Sequence, residues 1–255
     1  MDSLSLNFHK PDQNRKIAYK KINGKLSNKT GIMFLGGLAS DMEGTKANHL
    51  EKWCQSIENS YIRFDYTGHG QSNGEFTDGS IEAWYQDALT VLDDLTYGKQ
   101  ILVGSSMGGW IALLLAKNRP NKIHSIIGIA AAPDFTEDLM WNNFSEEEKK
   151  KIRNEGVLLQ DSEYSNEPYK ISRNLIFNSK NCLVLRDKLE LNFPVRLLQG
   201  TDDKDVPVNT SIKLINHILC EDAKLEIIKG ADHSFSSDKC LELITNNLQE
   251  LLKMK

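Results

Sequence analysis

The chain lacks any apolar run approaching the ~20 residues that a membrane-spanning helix requires. It also lacks a basic excess: 31 Lys and Arg against 35 Asp and Glu leave a net charge of −4. Nucleic-acid binding usually rests on a basic surface, so no nucleic-acid partner is expected. Cysteine is scarce, and Cys54, Cys182, Cys220 and Cys240 show no Cys-x-x-Cys spacing. They read as free thiols in a reducing compartment. No His, Cys and carboxylate cluster has metal-ligand spacing, and neither Gly-x-Gly-x-x-Gly nor a Gly-Lys-Ser/Thr phosphate loop is present. No metal and no cofactor are therefore expected. The N-terminus lacks the cationic and apolar blocks of a signal peptide, and Asp2 argues against an organelle leader. A cytoplasmic location is the expectation.

What is present is an ordinary globular composition, 40% hydrophobic and 26% charged over 255 residues. Short apolar runs recur at Ile32–Leu35, Tyr61–Asp65, Gln100–Gly104, Ile126–Ala131, Val195–Gln199 and Leu225–Lys229. Several are continuous rather than alternating, as strands buried on both faces of a parallel sheet should be. Helical patterns lie between them. From Ser80 to Thr96, Ile81, Trp84, Ala88, Leu92 and Leu95 form one stripe, with Glu82, Asp87, Asp93 and Asp94 expected largely in water. Residues 107–118 are apolar nearly all round, which predicts a deeply buried helix stopped by Pro120. The alternation predicts a single α/β domain over 1–255 with a mainly parallel sheet. Asp134 to Asn192 breaks the rhythm and carries Trp141, Phe144, Tyr164, Tyr169 and Phe177. An insertion of that length predicts a small helical lid. Within it, Glu146–Lys151 reads as a solvated helix face.

The chemistry concentrates in Gln100-Ile-Leu-Val-Gly-Ser-Ser-Met-Gly-Gly-Trp110. Gly104-x-Ser106-x-Gly108 follows an apolar strand and precedes an apolar helix, the context of a nucleophile elbow. The glycines make room for the sharp turn. The helix N-terminus favours developing negative charge at Ser106. Serine needs a base to take its proton. Two later strand ends supply partners in the order serine, acid, histidine. Asp202, Asp203 and Asp205 share the first turn, and Asp203 fits Gly-x-x-Asp-x-x-Val-Pro; His233 closes the next strand. His233 is the expected base and Asp203 its orienting acid. The other aspartates are expected to cap the turn or the next helix. The other histidines, His69 in its Gly-His-Gly turn included, read as structural. Two backbone N–H groups should form the oxyanion hole. They are assigned to Met107, directly after the nucleophile, and Leu38, in Gly36-Gly-Leu-Ala-Ser40.

These residues resemble the α/β-hydrolase superfamily, and within it the α/β-hydrolase-domain-10 group of acyl-protein thioesterases and acyl-glucuronide esterases. The resemblance rests on Phe34-Leu-Gly-Gly-Leu-Ala-Ser-Asp-Met-Glu-Gly-Thr-Lys-Ala47, Ile62-Arg-Phe-Asp-Tyr-Thr-Gly-His-Gly-Gln-Ser72, Gln100–Trp110, Arg196–Pro207 and Asp232-His233. It implies the α/β-hydrolase fold and the same triad, Ser106, Asp203 and His233. Animal members of the group are mitochondrial. The chain departs from the wider superfamily at Gly36, where many members place histidine, and from the group in the Ser-Phe-Ser-Ser run after His233.

The leading expectation is a serine esterase or thioesterase acting on small or protein-linked acyl groups. Trp110 and Trp141 are expected to line its acyl pocket. A short-chain carboxylesterase or lipase-like enzyme shares the triad. A non-catalytic binding module of this fold is the contrasting class. Dehalogenase and epoxide-hydrolase chemistry is excluded, because it requires aspartate at position 106.

Overall fold

A computed structural model describes residues 4–25, 30–160 and 168–254. Eight strands form the main sheet: β1 (Asn7–His9), β2 (Ile17–Ile22), β3 (Thr30–Leu35), β4 (Tyr61–Phe64), β5 (Lys99–Ser105), β6 (Ile123–Ile129), β10 (Val195–Gly200) and β12 (Ala223–Ile228). Their order is β1-β2-β4-β3-β5-β6-β10-β12. Only the β1–β2 and β2–β4 pairs are antiparallel. This is the α/β-hydrolase architecture, a mostly parallel sheet flanked by helices.

The continuous apolar strands feed two cores, because successive side chains point to opposite faces. Met33, Leu35 and Leu102 face one core with Trp84, Trp110 and the interior of helix α3 (Met107–Asn118). Ile32, Phe34, Ile101 and Val103 face the other, covered by α1 (Thr45–Ser56) and α7 (Asp238–Lys253). Helix α2 (Ile81–Thr90) starts at Ser80, whose hydroxyl accepts the Ala83 N–H, and runs on through a π-helical turn to Leu95. Asp87 departs from the expected solvated face. It is fully buried, and its carboxylate accepts the Thr67 N–H at 2.8 Å and the Arg15 guanidinium at 3.3 Å. An aspartate on the flank of an apolar stripe can turn inward when donors meet it there.

Two elements escaped the sequence pattern. Strands β1 and β2 are short and partly exposed, and polar residues interrupt both, so no apolar run marks them. The insertion is not purely helical either. It holds a π-helical turn (Thr136–Trp141), α4 (Glu146–Glu155), the antiparallel pair β7 (Val157–Gln160) and β8 (Tyr169–Ser172), and α5 (Arg173–Asn178). Tyr164 lies outside the described residues. Helix α4 opens with a reciprocal cap between Ser145 and Glu148, and its Glu-Lys run is solvated while Ile152 is buried. Asp134 ties the two ends of the insertion: its carboxylate accepts the N–H groups of Val184 at 2.8 Å and Leu185 at 2.9 Å. After the insertion, β9 (Leu189–Glu190) pairs with β11 (Ile218–Leu219), which follows α6 (Val208–His217).

Candidate active site

The site forms where β3, β5, β10 and β12 end at their C-terminal edges, the edge at which open α/β sheets place ligands. Ser106 sits between β5 and α3 with φ 54° and ψ −117°, a conformation that L residues hold only under constraint. The flanking backbone supplies the constraint. The Ser106 N–H donates to the Ile129 carbonyl at 2.9 Å, and the Ser106 carbonyl accepts the N–H groups of Gly109 at 2.9 Å and Ala132 at 3.1 Å. Glycine is obligatory on both sides. A Cβ at Gly104 would lie 2.4 Å from the Gly108 carbonyl oxygen, and one at Gly108 would lie 2.1 Å from that of Leu35.

The three distant segments meet. His233 Nε2 lies 3.1 Å from Ser106 Oγ, and His233 Nδ1 lies 2.9 Å from Asp203 Oδ2. With Nδ1–H donating to the carboxylate, Nε2 is left to accept the serine proton. Asp203 is well held. Oδ1 accepts the N–H groups of Asp205 at 3.0 Å and Val206 at 2.8 Å, and Oδ2 also accepts from the Gln199 amide at 2.9 Å. Burial pushes the Asp203 carboxyl upward, but the hydrogen bonds from His233, Val206 and Gln199 outweigh it and hold the group below its ordinary range. Of the other two candidates, Asp205 stands 3.9 Å from His233 Nε2, and Asp202 accepts from the Thr201 hydroxyl. The N-cap of α6 (Val208–His217) is Pro207, and Asp203 itself organises the turn before it through the Asp205 and Val206 N–H groups.

Met107 is the first residue of α3 and fully buried. Leu38 is half-buried in the loop after β3. That loop lies against the nucleophile, since a Cβ at Gly37 would sit 3.5 Å from Ser106 Cβ. The two segments expected to offer oxyanion donors thus flank Ser106.

Trp110 corrects an expectation. It is fully buried, donates its indole N–H to the Cys182 carbonyl at 2.8 Å and packs edge-to-face on Phe135. Because α3 is apolar around its whole circumference, the turn beyond Ser106 points into the core and not onto an open wall. Trp141 lies half-buried in the insertion, edge-to-face with Phe177. The Arg153, Lys149 and Lys180 cations lie 5.0–5.8 Å from its ring centroid.

His69 does more than shape its own turn. Its Nε2 accepts the N–H of Ala39, the residue after Leu38, at 3.2 Å. The ring is buried among Tyr66, Phe76 and Trp84, and this burial pushes it down to about 4, so it stays neutral. Asp65 braces the far end of the same loop, accepting the N–H groups of Met42 at 2.6 Å and Gln71 at 2.7 Å. The Asp65-x-x-Gly68-His69-Gly70 spacing was the available signal, but residue spacing does not name the backbone group that the ring holds.

Comparison with known proteins follows this geometry. A family model for the alpha/beta hydrolase fold matches residues 34–154. The human protein named palmitoyl-protein thioesterase ABHD10, mitochondrial, is 37% identical over 97% of this chain and 80% of its own length. The cattle protein of that name is 36% identical over 92% of this chain and 76% of its own. Among solved structures, a putative hydrolase from Agrobacterium vitis S4 is similar with a TM-score of 0.93 at 34% identity, covering 98% of this chain and 99% of that one. Mouse alpha/beta hydrolase domain-containing protein 10 is similar with a TM-score of 0.89 at 34% identity, covering 97% and 98%. Among the described residues no helix is long and apolar enough to cross a membrane. The mitochondrial names of the animal relatives depart from the cytoplasmic placement expected of the sequence. By its fold and by this similarity along almost its whole length, the chain belongs to the ABHD10 family of α/β hydrolases.

Proposed function

We propose that the protein is a serine hydrolase that cleaves acyl thioesters or esters through an acyl-enzyme, with Ser106, His233 and Asp203 as its triad. The observation that carries this reading is the unbroken chain of contacts from Ser106 Oγ through His233 to Asp203, at 3.1 Å and 2.9 Å. Ser106 attacks the acyl carbonyl while His233 takes its proton. The N–H groups of Leu38 and Met107 hold the oxyanion. His233 then protonates the leaving thiolate or alkoxide, and water releases the acid by the reverse roles. Asp203 stays ionised throughout, because its hydrogen bonds hold it below the ordinary carboxylate range.

The relatives, which are named palmitoyl-protein thioesterases, support acyl thioesters as the substrate class. The insertion offers partly exposed apolar surface at Leu139, Met140 and Trp141, packed against the core. We assign the acyl contact to Trp141 and not to the buried Trp110. Hydrolysis of thioesters and oxygen esters of graded chain length, by wild type and Ser106→Ala, tests the reading. A long-chain thioester preference that vanishes in the variant supports a depalmitoylase-like enzyme. A short-chain ester preference makes it a general carboxylesterase. A folded wild type that hydrolyses none of them moves the binding-module reading forward.

A further inference from the structure

One cation near the site has no part in the reaction just described. Lys46, in the first turn of α1, donates from Nζ to the carbonyl of Ser234, the residue after His233. The loop it touches is already closed on itself. Asp232 Oδ1 accepts the Phe235 N–H and the Ser234 hydroxyl, each at 3.0 Å. Phe235 takes a positive φ of 48° and is fully buried in the core beneath α1 and α7. The Ser234 carbonyl also accepts the Ser236 hydroxyl at 2.9 Å. That acceptor is therefore satisfied without any lysine, and the local turn holds its shape on its own bonds.

The local bonds do not tie the loop to the other half of the site. Lys46 reaches across from α1, the helix that starts where the Leu38 loop ends. Its side chain thus joins the segment carrying the base to the segment carrying an oxyanion donor. We propose that Lys46 is a positioning residue: its ammonium holds the His233 loop in register with the Leu38 loop, so that Nε2 stays on Ser106 Oγ. The proposal rests on the serine-hydrolase reading above.

The energetics separate this role from a structural one. Burial pushes the Lys46 ammonium down to about 8, against the opposing pull of Asp232 in the histidine loop and of Cys240 in α7. The unfolded chain therefore binds more protons than the folded one between about pH 8 and the ordinary lysine value, and stability rises with pH across that window. At neutral pH the charged lysine is a cost to the fold. Replacing it with an isosteric apolar residue should leave stability unchanged or higher while catalysis falls.

The test compares the full-length wild type with Lys46→Met and Lys46→Arg. The readouts are kcat and KM on an ester the wild type turns over, fluorophosphonate labelling rate, thermal midpoint, and activity from pH 6 to pH 10. In Lys46→Met, kcat and labelling should fall about tenfold, with KM within twofold and the midpoint unchanged or raised. Above about pH 8 the lysine loses its proton and its charge-assisted hydrogen bond to the Ser234 carbonyl weakens to that of a neutral amine, so wild-type kcat should decline. Lys46→Arg, which cannot deprotonate there, should keep its activity to higher pH. Wild-type kcat in Lys46→Met, or a loss that tracks a falling midpoint, overturns the assignment. Should Lys46→Met not fold, the alkaline limb of Lys46→Arg decides, and an unshifted limb overturns it. A folded wild type that neither labels nor turns over any ester overturns the hydrolase reading and this inference together; an active wild type with an indifferent Lys46→Met overturns the lysine alone.

Discussion

Ser106 keeps a backbone conformation that costs on the order of 1–3 kcal/mol, and a backbone donor and acceptor on either side hold it there. Such strain is worth keeping only if it presents the hydroxyl. Ser106→Ala should lower kcat/KM by about four orders of magnitude or more, with the fold intact, as read from turnover and circular dichroism. Asp203→Asn keeps the shape of the turn but puts an amide where the His233 Nδ1–H donates. A loss of about 10³–10⁴ in kcat is expected, because the imidazole is then held in the wrong tautomer. His69 makes a different kind of prediction. Its buried ring titrates near 4 when folded, against about 6.5 when unfolded. The unfolded chain takes up the extra proton first, so this contribution to stability is present above pH 6.5 and is lost as pH falls through 4. The shift is worth roughly 3 kcal/mol. Thermal midpoints measured across that window should fall less steeply in His69→Gln than in the wild type.

At the scale of elements, the strand-to-helix turn at Ser106 tolerates no side chain at Gly108. A Cβ there meets the Leu35 carbonyl oxygen at 2.1 Å, and that oxygen belongs to a central strand that cannot give way. Gly108→Ala should cost about 3 kcal/mol, the upper end of the range for core overpacking, and denaturant melts would show it. The insertion has its own anchor. Asp134→Ala removes the acceptor of two buried N–H groups, each worth ~1–3 kcal/mol when orphaned. It should lower stability by about 2 kcal/mol and loosen the 134–192 segment first, as hydrogen exchange at Val184 and Leu185 would register. The sequence made some of these elements plain and hid others for physical reasons. Strands β3, β5, β6 and β10 are buried on both faces, so they stand out as apolar runs. The β7–β8 pair is short and half-exposed, and its residues carry no period that separates it from helix or loop. Asp87 was misplaced because periodicity counts residue types, whereas its burial depends on donors from Thr67 and Arg15, 20 and 72 residues away.

For the whole molecule, the sheet brings Ser106 and His233 together across 127 residues of chain, and Asp203 and His233 across 30. Chain order and strand ends made the three residues legible in advance, since each follows a strand that ends on one edge. Their distances were not legible, nor were the contacts of His69, Asp65 and Lys46 with the loops around the site, because those contacts join backbone groups that carry no residue signature. The central claim is that Ser106 is the nucleophile. The most direct measurement is peptide-level mass spectrometry of the intact, folded protein after treatment with a fluorophosphonate. One adduct on Ser106 is expected, absent in Ser106→Ala and slowed by several orders of magnitude in His233→Ala. A folded wild type that acquires no adduct, or acquires it on Ser105 or elsewhere while Ser106 stays unmodified, would contradict the assignment.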